Sequence, residues 1–315
     1  MTTMINPPRG PLSEGLPSAD QALFEQTVAP KLVRRVVSDD VFVNDLRVLG
    51  HNKFEVGIRL PAAHIFYGPA TTRVHDPLLF LESVREAILL IANVAFAIPP
   101  EYKYITHEKE YSVSVDGLRT DGNRPVDLVG IGTAVDIRRR GRGFAGMRTE
   151  FTCYRDGVRI GTAAYRWSCV SAAGYARLRG ERKSAAPASR EGVAVVAPEL
   201  VGRRSEIDVM LAETPRGLEL CIDPAHPVVF DHPIDHVPGN GAVEVARQAA
   251  LLAIGKPHAV PTRCEFSFEH YIEFDSPCLV RPTVERVRPD GTSVVRVLFE
   301  QGGNTAASST LELAA

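Results

Sequence analysis

The second half of the chain restates the first in register, and no other feature constrains its fold as tightly. Ala63-His64 precedes Glu82 by the same interval that separates Ala225-His226 from Glu244. Each glutamate opens a matching run, Glu82-Ser-Val-Arg85-Glu86-Ala87 in one half and Glu244-Val-Ala-Arg247-Gln248-Ala249 in the other. Leu89-Leu90 is answered by Leu251-Leu252, each pair standing equally far past its glutamate. One shared dipeptide would be chance, but matches held in register over this length read as a duplicated domain. At 315 residues the chain has room for two.

Composition sets the frame around the repeat. With 44% hydrophobic and 23% charged residues the chain is an ordinary globular protein. Its 36 basic and 38 acidic residues lack the basic excess of a nucleic-acid binder. The longest apolar run, 87–100, is broken by Asn93 and falls short of the roughly 20 residues that cross a bilayer, so no membrane association is expected. Five cysteines, odd in number and without a CxxC pair, fit neither a disulfide framework nor a zinc ribbon, and suit a reducing cytoplasm. Residues 1–30 are proline-rich without periodicity and are expected to form a flexible tail. Residues 181–198, rich in small and charged residues, read as a linker between domains at 31–180 and 199–315.

Within each half the order of patterns is the same. A short β-rich stretch (53–60, 217–222) precedes a His/Asp/Pro loop and one long apolar helix, expected at 78–96 and 242–254. Period-two strands follow at 108–115, 127–138, 148–154 and 159–170, then at 263–274, 280–288 and 293–301. Turns such as Asp156-Gly157 and Asp290-Gly291 make these antiparallel hairpins. A long helix wrapped by a curved antiparallel sheet is the hotdog arrangement, so the expected fold is α+β, a tandem hotdog.

Both helices carry polar residues where apolar ones belong. Glu82, Arg85 and Glu86 interrupt the first at i, i+3 and i+4, and Glu244, Arg247 and Gln248 repeat the stripe in the second. Buried charge costs several kcal/mol unless it is partnered, so each stripe needs an ion pair, a wet cleft or a ligand. A helix salt bridge is one reading, and a general acid/base carboxylate beside an anion-binding guanidinium is the other.

The loop before the second helix runs His226-Pro-Val-Val-Phe-Asp231-His232-Pro-Ile-Asp235-His236-Val-Pro238-Gly239. Its spacing fits no metal motif, so no metal is expected. One of its three histidines is expected to face the cleft as acid/base while the others hydrogen-bond the loop in place. Pro238-Gly239 leaves the first N–H groups of the following helix free for an oxyanion or a thioester carbonyl, which makes Gly239 a candidate binding position.

The run from His232 through Pro238-Gly239 to Glu244 and Gln248 resembles the β-hydroxyacyl-ACP dehydratase signature, with a shorter loop. A second resemblance covers most of the chain. Ala63-His64-Ile-Phe-Tyr67, His75-Asp76-Pro77 with Glu82 and Arg85, Val201-Gly202-Arg203, and Phe230-Asp231-His232-Pro233 through Glu244 and Arg247 are similar to the A-factor synthase family. That resemblance implies a tandem-hotdog acyltransferase of bacterial butyrolactone, butenolide or furan hormone biosynthesis. A β-ketoacyl group, carried as a thioester on acyl carrier protein, would pass to the hydroxyl of dihydroxyacetone phosphate, and the ester would condense to a phosphorylated butenolide. It implies no cofactor, and it places the family's catalytic and binding positions on Glu82, Glu244 and Arg247.

Together these readings make Glu244 the base, Arg247 the phosphate or carbonyl anchor, and the loop around His232 and His236 a supporting shell. Glu82 and Arg85 form a second site or a structural mimic, and Gln248 is a further candidate contact. The chain departs from the family at Asn240-Gly241, where two apolar residues are expected, and at Glu86, where glutamine is usual. An oligomer is compatible with the sequence. Gly141-Arg-Gly143-Phe-Ala-Gly146 spells GxGxxG but lies between strands, out of dinucleotide-binding context. The arginines at 138–140 and 142 read as a solvated turn or a docking point for an acidic carrier protein. On the residues alone, two other classes stay open: a hotdog dehydratase or thioesterase, and a non-catalytic acyl- or signal-binding protein.

Overall fold

Helix α1 (Pro77–Val94) starts at a cap written into the sequence. Asp76 accepts a hydrogen bond from the Leu78 N–H at 2.8 Å, and Pro77 fills the first helical position, where a missing N–H costs nothing. A computed structural model of the chain describes residues 21–68, 73–141, 143–187 and 189–315. Six strands accompany α1: β1 (Val43–Gly50), β2 (Lys53–Leu60), β3 (Lys103–Val113), β4 (Val126–Arg140), β5 (Gly143–Arg155) and β6 (Val158–Val170). A short helix, α2 (Ala172–Arg179), leads on to the second half. There β7 (Leu211–Thr214), β8 (Gly217–Leu220), α3 (Gly239–Ile254), β9 (Val260–Phe268), β10 (Cys278–Val287), β11 (Ser293–Gln301) and β12 (Asn304–Ala314) repeat the order.

The twelve strands among the described residues form one antiparallel sheet, in the order β1-β2-β4-β5-β6-β3-β9-β12-β11-β10-β8-β7. Read inward from each edge the two halves have the same topology, and they meet where β3 pairs with β9, Tyr111 opposite Cys264. Helix α1 packs on β1 and β2 and α3 on β10 to β12, which is the α+β tandem hotdog expected from the repeat. One core of buried aliphatic and aromatic side chains runs through both halves.

Several boundaries differ from expectation for identifiable reasons. Helix α3 begins at Gly239 rather than Ala242, because Gly239-Asn240-Gly241 forms its first turn after Pro238. Strand β12 escapes the period-two reading because its buried positions begin with small residues, Ala306, Ala307 and Ser309, before Leu311 and Leu313. Of the expected tail, residues 1–20 lie outside the described residues. Gln21–Phe24 form a 3-10 turn that buries Leu23 and Phe24 against Val129. A Cβ at Gly57 would lie 2.5 Å from the Leu23 carbonyl, so that glycine makes the contact possible.

The expected linker is partly ordered onto the second half, where the Val196 N–H donates to the Leu211 carbonyl at 3.0 Å. Gly141 turns the β4–β5 hairpin and no helix follows it. All five cysteines are free. Among the described residues no helix is long and apolar enough to cross a membrane.

Candidate functional site

A cleft of about 1380 Å³ lies between the halves. Helix α1 contributes Glu82 and Arg85, β3 contributes Lys109, and the loop and first turn of α3 contribute His232, His236, Gly239 and Asn240. Glu82 is 2% exposed, and its carboxylate is fully engaged. Its Oε1 accepts from Arg85 Nε at 2.7 Å and from the Arg35 guanidinium, and its Oε2 accepts from the Asn240 amide. The Asn240 carbonyl oxygen in turn accepts from Lys109 Nζ. One amide from the second half therefore bridges two groups of the first, the glutamate and a buried lysine.

Arg35 ties this group to the second half. Its Nε donates to Glu86 Oε1 at 2.9 Å and its Nη1 to Asp231 Oδ2 at 3.1 Å, while Glu86 Oε2 accepts from the Phe42 N–H at 2.7 Å. Burial alone would raise the Glu82 pKa, but the Arg35 and Arg85 guanidiniums override it and hold the carboxyl down at about 2. Glu86 goes the other way, to about 7, because burial and the neighbouring Glu82 charge outweigh Arg35. Burial pulls Lys109 down to about 7 against the attraction of Glu82.

His236 is a histidine oriented by a carboxylate. Its Nδ1 lies 2.7 Å from Asp235 Oδ1, and Asp235 is held by the Tyr175 hydroxyl at 2.6 Å and Arg179 Nε at 3.1 Å. Arg179, at the end of α2, also grips Glu273 with both terminal nitrogens, at 2.7 and 2.6 Å. Burial holds the His236 pKa below the ordinary histidine value, with Asp235 opposing. With Nδ1–H directed at Asp235, its Nε2 is left as an acceptor. His232 pairs with Asp231 at the rim, its ring half exposed.

The matching group in the second half is sealed. Glu244 is fully buried, accepting from Arg203 Nε at 2.9 Å and from Arg247 Nε and Nη2, both at 2.7 Å. Gln248 donates to Glu244 and accepts from the Met210 N–H at 2.8 Å, as Glu86 does from Phe42. Arg203 stacks on the Phe66 ring at 4.2 Å and donates to the Phe66 carbonyl at 2.6 Å. None of Glu244, Arg247 and Gln248 lines the cleft. The expected base and two expected substrate contacts thus lie in a closed ion cluster, whereas Glu82, Arg85, His232, His236 and Gly239 surround open space.

The chain matches the A-factor biosynthesis hotdog domain over residues 17–171 and 184–315. It belongs to that family. A protein of Streptomyces virginiae named 2-oxo-3-(phosphooxy)propyl 3-oxoalkanoate synthase is 36% identical over 284 residues, spanning 90% of this chain and 96% of that one. Proteins of the same name from Streptomyces griseus subsp. griseus and Streptomyces coelicolor are 33% identical over 306 residues and 32% over 301. They cover 95% and 93% of this chain, and 96% and 95% of their own.

In this A-factor family member, Arg35, Lys109 and Arg179 also line the candidate cleft, and none is among the residues that the sequence pattern singles out. A second repeat, at a slightly wider offset than the first, would have found Arg35. Leu32-Val33-Arg34-Arg35 answers Leu200-Val201-Gly202-Arg203, and Asp40 answers Asp208. Each aspartate faces the histidine of its own half, His64 at 3.0 Å and His226 at 3.3 Å. Those histidines brace loops: His64 Nδ1 accepts from the Phe66 and Tyr67 N–H groups, and His226 Nδ1 from Val228 and Val229.

Proposed function

We propose that the protein transfers a β-ketoacyl group from an acyl carrier protein thioester to the hydroxyl of dihydroxyacetone phosphate. The ester then condenses internally to a phosphorylated butenolide, a step towards a γ-butyrolactone, butenolide or furan signal. Family membership supports the reading, and so does the name shared by the Streptomyces relatives, which describes that ester. The observation that carries it is the cleft itself, where a carboxylate-oriented histidine, a buried lysine and the free first turn of α3 surround one space.

The chemistry follows from these groups. His236 Nε2 takes the proton of the attacking hydroxyl, and Asp235 steadies the imidazolium that forms. The carbonyl oxygen becomes an oxyanion, stabilised by the α3 first-turn N–H groups and by Lys109. Collapse breaks the C–S bond, and the proton on His236 passes to the departing thiolate. Arg85 draws the acceptor's phosphate. Glu82 has both carboxylate oxygens engaged by Arg85, Arg35 and Asn240, and the guanidiniums hold its carboxyl below the usual range, which suits it poorly to take the hydroxyl proton. Its part is to hold Arg85 and Asn240 in place, and the Glu244 cluster is the structural counterpart.

The test is mass spectrometry of the purified protein with a β-ketoacyl carrier thioester and dihydroxyacetone phosphate, beside Glu82→Gln and Glu244→Gln. A phosphorylated ester or butenolide mass is expected. Glu82→Gln should cut kcat/KM by about 100-fold. Glu244→Gln strands two buried guanidiniums and should cost about 3–5 kcal/mol of stability, while its folded fraction stays within about tenfold of wild-type turnover. Free acid without dependence on the acceptor would mean a thioesterase, loss of water a dehydratase, and saturable binding without product a binding protein.

A further inference from the structure

The β4–β5 hairpin carries cations that the site does not use. Arg138, Arg139 and Arg140 are exposed at the end of β4, and none has a carboxylate partner among the described residues. Strand register fixes where they stand. Arg138 faces Gly146 on β5, Gly146 faces Ser168 on β6, and the Ser168 hydroxyl lies 2.8 Å from His107 Nε2. His107 lines the cleft, as do the exposed Lys103 and the half-buried Arg34. A bulge after Val135, with Asp136 at φ +49°, breaks the β4 register just before the arginines, and such bulges bend a strand end. The excess is local, because the whole chain carries a net charge of −2.

We propose that this arginine rim docks the acidic acyl carrier protein and so presents its tethered thioester to the cleft. The inference rests on the transfer reading above and adds the surface at which the donor is recognised. Contiguity favours this occupant: a partner seated on 138–140 stands beside the mouth that a thioester arm has to enter. Charge complementarity at a rim acts mainly on encounter rate and partner choice. A single-stranded nucleic acid would want aromatic faces to stack on. The aromatic residue paired with the arginine segment, Phe144 opposite Arg139, is instead stacked on Trp167 at 5.5 Å and packed against Phe96.

The experiment compares wild type with Arg138→Glu/Arg139→Glu/Arg140→Glu on two donors, the same β-ketoacyl group on acyl carrier protein and on N-acetylcysteamine. The variant should lose about tenfold or more in kcat/KM with the carrier-borne donor and nothing with the small one. Wild-type rates with the carrier should fall between about 50 and 300 mM salt, and the variant should flatten that slope. Arg139→Glu alone serves if the triple variant is insoluble. Equal losses on both donors, or none on the carrier, overturn the proposal. If an oligonucleotide binds wild type but not the variant while carrier kinetics are unchanged, the rim is a nucleic-acid site instead. Should wild type turn over neither donor, the transfer reading falls, and anisotropy of labelled acyl carrier protein still decides docking. Binding lost in the variant upholds it, and absent or unchanged binding removes it.

Discussion

Lys109 sits where burial and the positive end of α3 oppose a cation, 3% exposed, and the Tyr165 ring, 5.3 Å from Nζ, offsets only part of that. A Cβ on Gly239 would lie 2.9 Å from that nitrogen, so the glycine makes room for the lysine as well as freeing the helix start. Burial favours the neutral amine, and the group titrates at about 7. The oxyanion role needs the charged form, so activity should fall as pH rises through about 7. Lys109→Met should lower kcat and erase that alkaline limb, and a pH profile of kcat/KM that keeps the limb would assign it elsewhere, Glu86 being the other group at about 7. Period-two alternation held the clue, since Lys109 shares a face with the buried Tyr111 and Val113. Glu108 and Glu110 on either side disguised it as a solvated stretch. Arg35 is harder to read for another reason: it is far from Glu82 along the chain, in a segment with no regular period, and only its match to Arg203 in the wider-offset repeat marks it.

At the scale of elements, α2 and the turn after it work as a strap. Ser171 caps the helix by accepting from the Gly174 N–H, and Arg179 at its far end crosses to Asp235 and Glu273 with its guanidinium 4.2 Å from the Tyr271 ring. Arg179→Met would leave two buried carboxylates short of a partner, costing about 3–5 kcal/mol, and would let the Asp235–His236 pair drift. Thermal melts and steady-state kinetics should both register it, with kcat down by about tenfold or more. Arg182→Ala, at a half-exposed neighbour, should be close to silent, and equal effects from the two would refute the strap. The two long helices and most strands were legible because their apolar periods are strong. The strap was not, because Ala172–Arg179 has no apolar stripe and its fixing is ionic and distant in sequence.

For the whole molecule, the β3–β9 pairing makes one sheet of two duplicated halves. Calorimetry should therefore show a single unfolding transition, and residues 199–315 expressed alone should aggregate along the bared β9 edge. Two separated transitions would sink this. The duplication announced the architecture, but it concealed which of the two matched glutamates faces the cleft. That choice turns on the start of each helix: Asn240 reaches into the cleft, whereas the matching residue of α1, Leu78, is buried in the core. A cleft that takes Glu82 and Arg85 from one half and Asn240 and His236 from the other has to be inherited whole. Recombination between related genes in the stretch joining α2 to β7 would set a glutamate beside a helix start from a different lineage. Hybrids made there should be folded yet slow, and those in which only the exposed 119–125 turn is replaced should work as well as either parent.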